Sequence, residues 1–203
     1  MDDLRKEAPS AWTAPPTVEF DRERLKDVVH YICSQCDEAD LGNVKLHKIL
    51  YFADMLHFNE TMKPLTGVSY VKQQFGPTAR HLTAVVDELA QEGRLQVTDR
   101  QFYGFQKKDY TSLTQPHLGR IGNALPLLDD VIEFVCSRTA KEISELSHNA
   151  AWDAAKMGEV IPYFTAIGME PAELTDDDFA WADAEGKRLR STIEGRTDEG
   201  RVF

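Results

Sequence analysis

The sequence predicts a mainly α-helical domain of the α+β class, compact around one buried central helix and carrying a small β-hairpin or sheet. Three observations lead there. Long segments place apolar residues at the 3.6-residue spacing of a helix, and the β-prone runs are few and short. One segment, Val44 to Asn59, sets Val44, Leu46, Ile49, Leu50, Phe52, Met55, Leu56 and Phe58 almost all the way round a helix, the pattern of an element buried on most sides.

Taken in order, Asp21 is an N-cap for a first helix running to about Gln35, with Leu25, Val28, Val29 and Ile32 on one face. The central helix follows. "KPLTGVSYVKQQFGP" then holds a short strand at Ser69 to Gln73 between turn residues, and Pro77 is expected in the first turn of a third helix. The stripe of that helix is Ala79, Leu82, Val85, Val86, Leu89 and Ala90, and Gly93 ends it. Leu95 to Thr98 and Gln101 to Lys107 suggest a hairpin closed near Asp99-Arg100, so that helix and hairpin together have the layout of a winged helix. Tyr110 to Gly122 reads as a loop, and Asn123 as the cap of a helix through Ser137 with Pro126 in its first turn. Thr139 and Glu142 have capping-box spacing and open a fifth helix. If unbroken, it carries Ile143, Leu146, Ala150, Ala154 and Met157 on one face and His148, Trp152 and Glu159 on the other. Pro162 breaks it and lays Tyr163 back on the domain, and Thr175 starts a last helix, acidic at its beginning through Asp176, Asp177 and Asp178 and basic near its end.

The 203 residues suffice for one domain with tails. The expected organisation is a flexible segment over 1–20, a domain over 21–194 that includes the acidic helix, and a frayed tail over 195–203. No apolar run approaches the roughly 18 residues of a membrane span, and the acidic N-terminus lacks the apolar stretch of a secretory signal, so a soluble cytoplasmic protein is expected. A formal charge of −11 argues against sequence-independent nucleic-acid binding and suits a basic protein partner. Three cysteines cannot close a complete disulfide set. The "CSQC" of Cys33 and Cys36 has no second ligand pair for zinc and closes a helix where a redox pair would open one, so both are expected to pack with Val29 and Ile32.

On the central helix His47, Tyr51 and Asp54 share a stripe, and His57 lies one turn from Asp54. A His and an Asp so spaced can exchange a proton. Yet no nucleophile, glycine-rich phosphate loop or acidic metal cluster accompanies them, and a seam hydrogen-bonded to neighbouring backbone is the expected role. No catalytic residue, metal or cofactor is expected. Trp152 with His148 is either core on a second side or a binding anchor.

"VKLHKILYFADMLHF", "PLTGVSYVKQQFGPTARHL" and "TAKEISELSHNAAWDAAKMGEVIPY" together resemble the Panacea, or SocA-like, domain of bacterial and phage antitoxins, from about Arg24 to Tyr163. The order of parts carries the likeness: a K-x-x-Y-F-A-D helix, a P-L-T-G turn, a G-P step and an S-H…W…G-E-x-I-P-Y ending. The matching positions are Lys48, Leu50, Tyr51, Phe52, Ala53, Asp54, Pro64, Leu65, Gly67, Tyr70, Gly76, Pro77, Ser147, His148, Trp152, Gly158, Glu159, Ile161, Pro162 and Tyr163. The resemblance implies an antitoxin that neutralises a cognate toxin by direct protein contact; one branch of the family instead hands its toxin to the ClpXP protease. Residues through Phe20 and the acidic last helix lie outside the motif, and partner choice is expected to reside there. Candidate partner-binding or family-motif residues are therefore Lys48, Tyr51, Asp54, Tyr70, Gly76, Pro77, His148, Trp152, Glu159, Asp176, Asp177 and Asp178. A DNA-binding reading stays open on the helix-hairpin layout with Lys72, Arg80, Arg94, Arg100, Lys107 and Lys108, against the net charge. An enzyme reading rests on the surroundings of Asp54 and His148 alone.

Overall fold

A computed structural model describes residues 18–102, 104–168 and 187. The chain divides into two compact units, Met1–Met169 and Glu170–Phe203, and the elements below belong to the first. The acidic helix expected from Thr175, with Asp176, Asp177 and Asp178, lies outside the described residues, as do the tail and residues 1–17.

The fold is mainly α with small antiparallel β elements. Helix α1 spans Arg22–Gln35, and the Asp21 side chain caps it by accepting from the Arg24 amide at 2.9 Å. Helix α2, Asn43–Thr61, is the central post: Leu46, Ile49, Leu50, Ala53, Met55 and Phe58 are buried on different sides of it. α1 and two later helices, Leu125–Cys136 and Ala140–Leu146, pack round it with the β elements, which is why its apolar residues need no single stripe.

Strands β1 (Tyr70–Gln73) and β2 (Gly76–Ala79) form a tight hairpin, and β5 (Val160–Ile161) pairs with the other side of β1, giving the order β2-β1-β5. Pro77 is thus a strand residue, correcting its expected place in a helix. It sits opposite Lys72 on an edge strand, where its missing N–H removes no ladder bond. Helix α3 begins only at Leu82 and runs to Gln91. β3 (Leu95–Phe102) and β4 (Phe105–Ser112) form the second hairpin, longer than expected: Asp99 faces Lys108 and Arg100 faces Lys107 across the ladder, so these charges stabilise strand pairing and the chain turns after Phe102.

A 3-10 turn at Gly122–Ala124 leads directly into α4 (Leu125–Cys136), which leaves Asn123 inside the turn and not at a cap; Pro126 does occupy the first turn. The capping box at Thr139 and Glu142 opens α5 (Ala140–Leu146) as expected. That helix is not continuous. Ser147 Oγ donates back to the Ser144 carbonyl at 2.7 Å, and Asn149 starts α6 (Ala150–Ala154) by accepting from the Trp152 amide at 3.1 Å. Asparagine caps well because its side chain replaces a helical carbonyl, and here it recaps the chain after a bend. A second 3-10 turn, Tyr163–Gly168, closes the unit.

Candidate functional site

The family-type residues gather in two neighbouring places. The first is a polar seam along α2. Asp54 is fully buried, and it accepts from the Thr66 amide at 2.7 Å, the Thr66 hydroxyl at 2.5 Å and the Tyr70 hydroxyl at 2.6 Å. Burial pushes its pKa up, and these donors pull against the shift. Tyr163 donates to the Val68 carbonyl at 2.8 Å, and its ring stands edge-on to Tyr70, which stands edge-on to Tyr51. The carboxylate therefore pins the 64–70 turn and strand β1 onto the post. His57 takes no part: its Nδ1 donates to the Lys63 carbonyl at 2.8 Å, so the acid-base pair with Asp54 is not formed.

One turn earlier, Lys48 is 1% exposed, and its Nζ donates to the Pro77 carbonyl at 3.0 Å. Burial lowers its pKa to about 7. His47 Nδ1 accepts from the Ala79 amide at 3.1 Å, and burial, with the charge of Lys48, lowers its pKa to about 4. These two side chains hold β2 against α2. Gly76 is required between Lys48 and Ser147: a Cβ there would lie 2.3 Å from Ser147 Oγ and 2.6 Å from Lys48 Nζ, and its φ is +93°. Gly67 is forced by contact too, since its Cβ would meet the Glu19 carbonyl oxygen at 2.0 Å.

The second place is the surface where α6 meets the β1-β2 hairpin. His148 and Trp152 stack with ring centroids 3.9 Å apart and planes 12° from parallel, and Lys72 Nζ lies 3.8 Å from the Trp152 ring centroid. Trp152 Nε1 donates to the Gln73 carbonyl at 3.3 Å, tying the stack to the hairpin. The break between α5 and α6 corrects the expectation of one continuous helix and allows His148 in the joint to lie flat on Trp152. His148 Nε2 has no hydrogen-bond partner among the described residues, although the atom itself is covered. At the hairpin tip Phe75 is 62% exposed. Glu159 stands apart, accepting from the Lys156 amide at 2.7 Å to close the turn before β5.

Asn149 joins the two places, donating to the Tyr51 hydroxyl at 3.3 Å. Sequence reasoning missed Thr66, whose amide and hydroxyl both serve Asp54, and Phe75, a lone aromatic in a two-residue turn. Among the cations of the DNA-binding reading, Arg94 pairs with buried Asp27 at 3.0 Å, and Arg100 and Lys107 each reach buried Asp109 at 2.9 Å. A cleft of about 650 Å³ beside the start of α2 contains neither Asp54 nor His148. No group of three or more metal-ligating side chains occurs among the described residues.

The cysteines of "CSQC" lie in or against the core cluster that holds Val29 and Ile32. Cys33 is buried in the core, but Cys36 ends α1 and faces Cys136 at the end of α4, with the sulfurs 3.3 Å apart.

The profile of the antitoxin SocA-like, Panacea domain family matches residues 46–153, more than half of the 203 residues. The chain belongs to this family. Neither a curated protein nor a solved structure matches it. The Panacea match opens at Leu46, the first buried leucine of α2, and closes at Asp153, beside Trp152, so it spans Asp54, Thr66 and Tyr70 of the seam and both rings of the stack, with Tyr163 beyond its end. Among the described residues, no helix is long and apolar enough to cross a membrane.

Proposed function

We propose that this Panacea-domain protein is the antitoxin of a toxin-antitoxin pair and neutralises its toxin by direct, stoichiometric binding in the cytoplasm, with no turnover of its own. Family membership supports the antitoxin role. The observation that carries the binding mode is the stack of His148, Trp152 and Lys72: a preformed aromatic surface with a cation over it, tied through the Gln73 carbonyl to a hairpin whose tip exposes Phe75. Tryptophan anchors of this kind dominate the energy of protein interfaces. The buried seam, by contrast, has its polar groups satisfied inside the fold, which suits a scaffold and gives no assembled nucleophile to an enzyme. The charge of −11 adds steering toward a basic partner.

DNA binding is the weaker reading, because Arg94, Arg100 and Lys107 are already tied to internal carboxylates. The direct experiment is co-expression with the product of the neighbouring gene, followed by size exclusion and growth rescue. A co-eluting pair and rescue near one antitoxin per toxin support sequestration. Rescue far below that ratio sinks it, and rescue lost in cells without ClpXP moves the function to proteolytic delivery.

A further inference from the structure

We propose that Cys36 and Cys136 form a reversible thiol-disulfide site that clasps the end of α1 to the end of α4 when the protein meets a peroxide. The two sulfurs lie 3.3 Å apart although their residues are 100 positions apart in the chain, so the fold alone brings them together. Both are partly accessible, whereas Cys33 is buried. Each sits at a helix end, Cys36 as the cap residue of α1 and Cys136 as the last residue of α4, where a small rotation can close the remaining gap to bonding distance without distorting a helix interior.

The surroundings distinguish the two thiols. Either thiol can donate to the other across the 3.3 Å contact, burial opposes a thiolate at either sulfur, and Lys45, whose Nζ donates to the Cys136 carbonyl at 3.2 Å, favours one. The thiolate is the nucleophile in such chemistry, and the Lys45 ammonium bound to the Cys136 carbonyl sets a cation beside Cys136, which makes it the attacking sulfur and Cys36 the resolving one. Cys136 sulfur attacks one peroxide oxygen, the O–O bond breaks and the leaving hydroxide is protonated to water, leaving a sulfenic acid. Cys36 sulfur then attacks Cys136 sulfur, the S–O bond breaks, and the departing hydroxide takes the Cys36 proton. Two thiols and one hydrogen peroxide give one disulfide and two waters, the two electrons passing from sulfur to oxygen. A dithiol then exchanges with the disulfide, restoring the two thiols and itself becoming a disulfide.

The loop so closed contains α2, both hairpins and α3. Because a cross-link over a long loop restricts the unfolded chain most, oxidation should raise the melting temperature by roughly 10 °C. The clasp is independent of whether the protein binds a toxin.

The test uses the purified full chain treated with hydrogen peroxide, with and without later dithiothreitol. The expected result is a loss of two hydrogens in intact mass, a fall in alkylatable thiols of the denatured protein from three to one, and a cross-linked peptide pair containing Cys36 and Cys136. Cys36→Ser should abolish the loss of two hydrogens and the cross-linked peptide pair and leave Cys136 as a sulfenic acid, and Cys33→Ala should leave the cross-link in place. If Cys33→Ala fails to fold, the peptide map of the wild-type chain identifies the pair by itself. Full alkylation of all thiols after peroxide, a link that joins two chains, a link through Cys33, or Cys136 carried to sulfinic acid with Cys36 still free would each overturn the proposal.

Discussion

The seam at Asp54 and the stack at Trp152 belong to one family motif and are built on opposite principles. At Asp54 a charged group is removed from water and three donors are aimed at it, so each atom has a partner within the fold. At Trp152 a ring is held in place by His148, Lys72 and the Gln73 carbonyl, and these side chains stay half-buried at the surface. The contrast teaches that a shared set of residues need not share one role. The first group fixes a turn and a hairpin on the central helix, and the second presents what that hairpin supports. Substitutions in the seam should therefore act on stability, and substitutions in the stack on binding.

The largest effect expected is that of Asp54→Ala. It strands the Thr66 amide, the Thr66 hydroxyl and the Tyr70 hydroxyl in a fully buried place, a loss of about 3 to 5 kcal/mol in urea melts. A cost below about 1 kcal/mol would mean that the turn does not depend on the carboxylate, and the contrast between the two regions would fail.

Next in size is an acid limb from His47. Its folded pKa is lowered from 6.5 to about 4 by burial and by Lys48. The unfolded chain therefore takes up a proton at a higher pH than the folded one. Stability from this group is full above the unfolded value and is lost as pH falls from 6.5 to about 4, by about 3 kcal/mol in total. His47→Asn retains an acceptor for the Ala79 amide and cannot titrate, so the difference in stability between wild type and variant should shrink as pH falls through that window. A difference that stays constant with pH would show that His47 is not held neutral.

Particular residues show how much of this the sequence made legible. α1 and α2 were, because apolar spacing and an Asp cap act within a few residues of one another. The seam was legible as a stripe but not as a network, since the groups that complete Asp54 come from Thr66 and Tyr70 beyond the end of its own helix. The three-stranded sheet was hidden because β5 is only Val160 and Ile161, too short for any alternation, and is defined by its pairing to Tyr70 and Val71. Pro77 misled because a proline after glycine serves a helix start and an edge strand equally well. The stack depends on a bend at Ser147 to Asn149, and the asparagine there was the one signal that could have revealed it.

For the stack itself, Trp152→Ala should cost only about 1 kcal/mol of stability, the worth of its ring contacts. It should weaken toxin binding by at least about 2 kcal/mol, roughly thirtyfold in Kd. Isothermal titration beside a urea melt reads both at once. Equal losses in stability and binding would make Trp152 a core residue like those of α2, and the division between the regions would be gone.

The smallest effect is the most discriminating. Lys72→Gln keeps most of the side-chain stem over Trp152 but removes the cation that lies 3.8 Å from the ring centroid. The change takes the formal charge from −11 to −12. If the toxin is basic, as proposed above, two influences on it then oppose each other. A more acidic protein should be steered to it slightly faster, an effect that fades as salt rises. A stack without its cation should hold the bound toxin less well, by about 0.5 to 1 kcal/mol, and that loss should persist in high salt because the contact is local and partly desolvated. Stopped-flow association and dissociation rates at low and high salt separate the two. A dissociation rate unchanged at both salts would take Lys72 out of the binding surface and leave overall charge as the only contribution of this lysine.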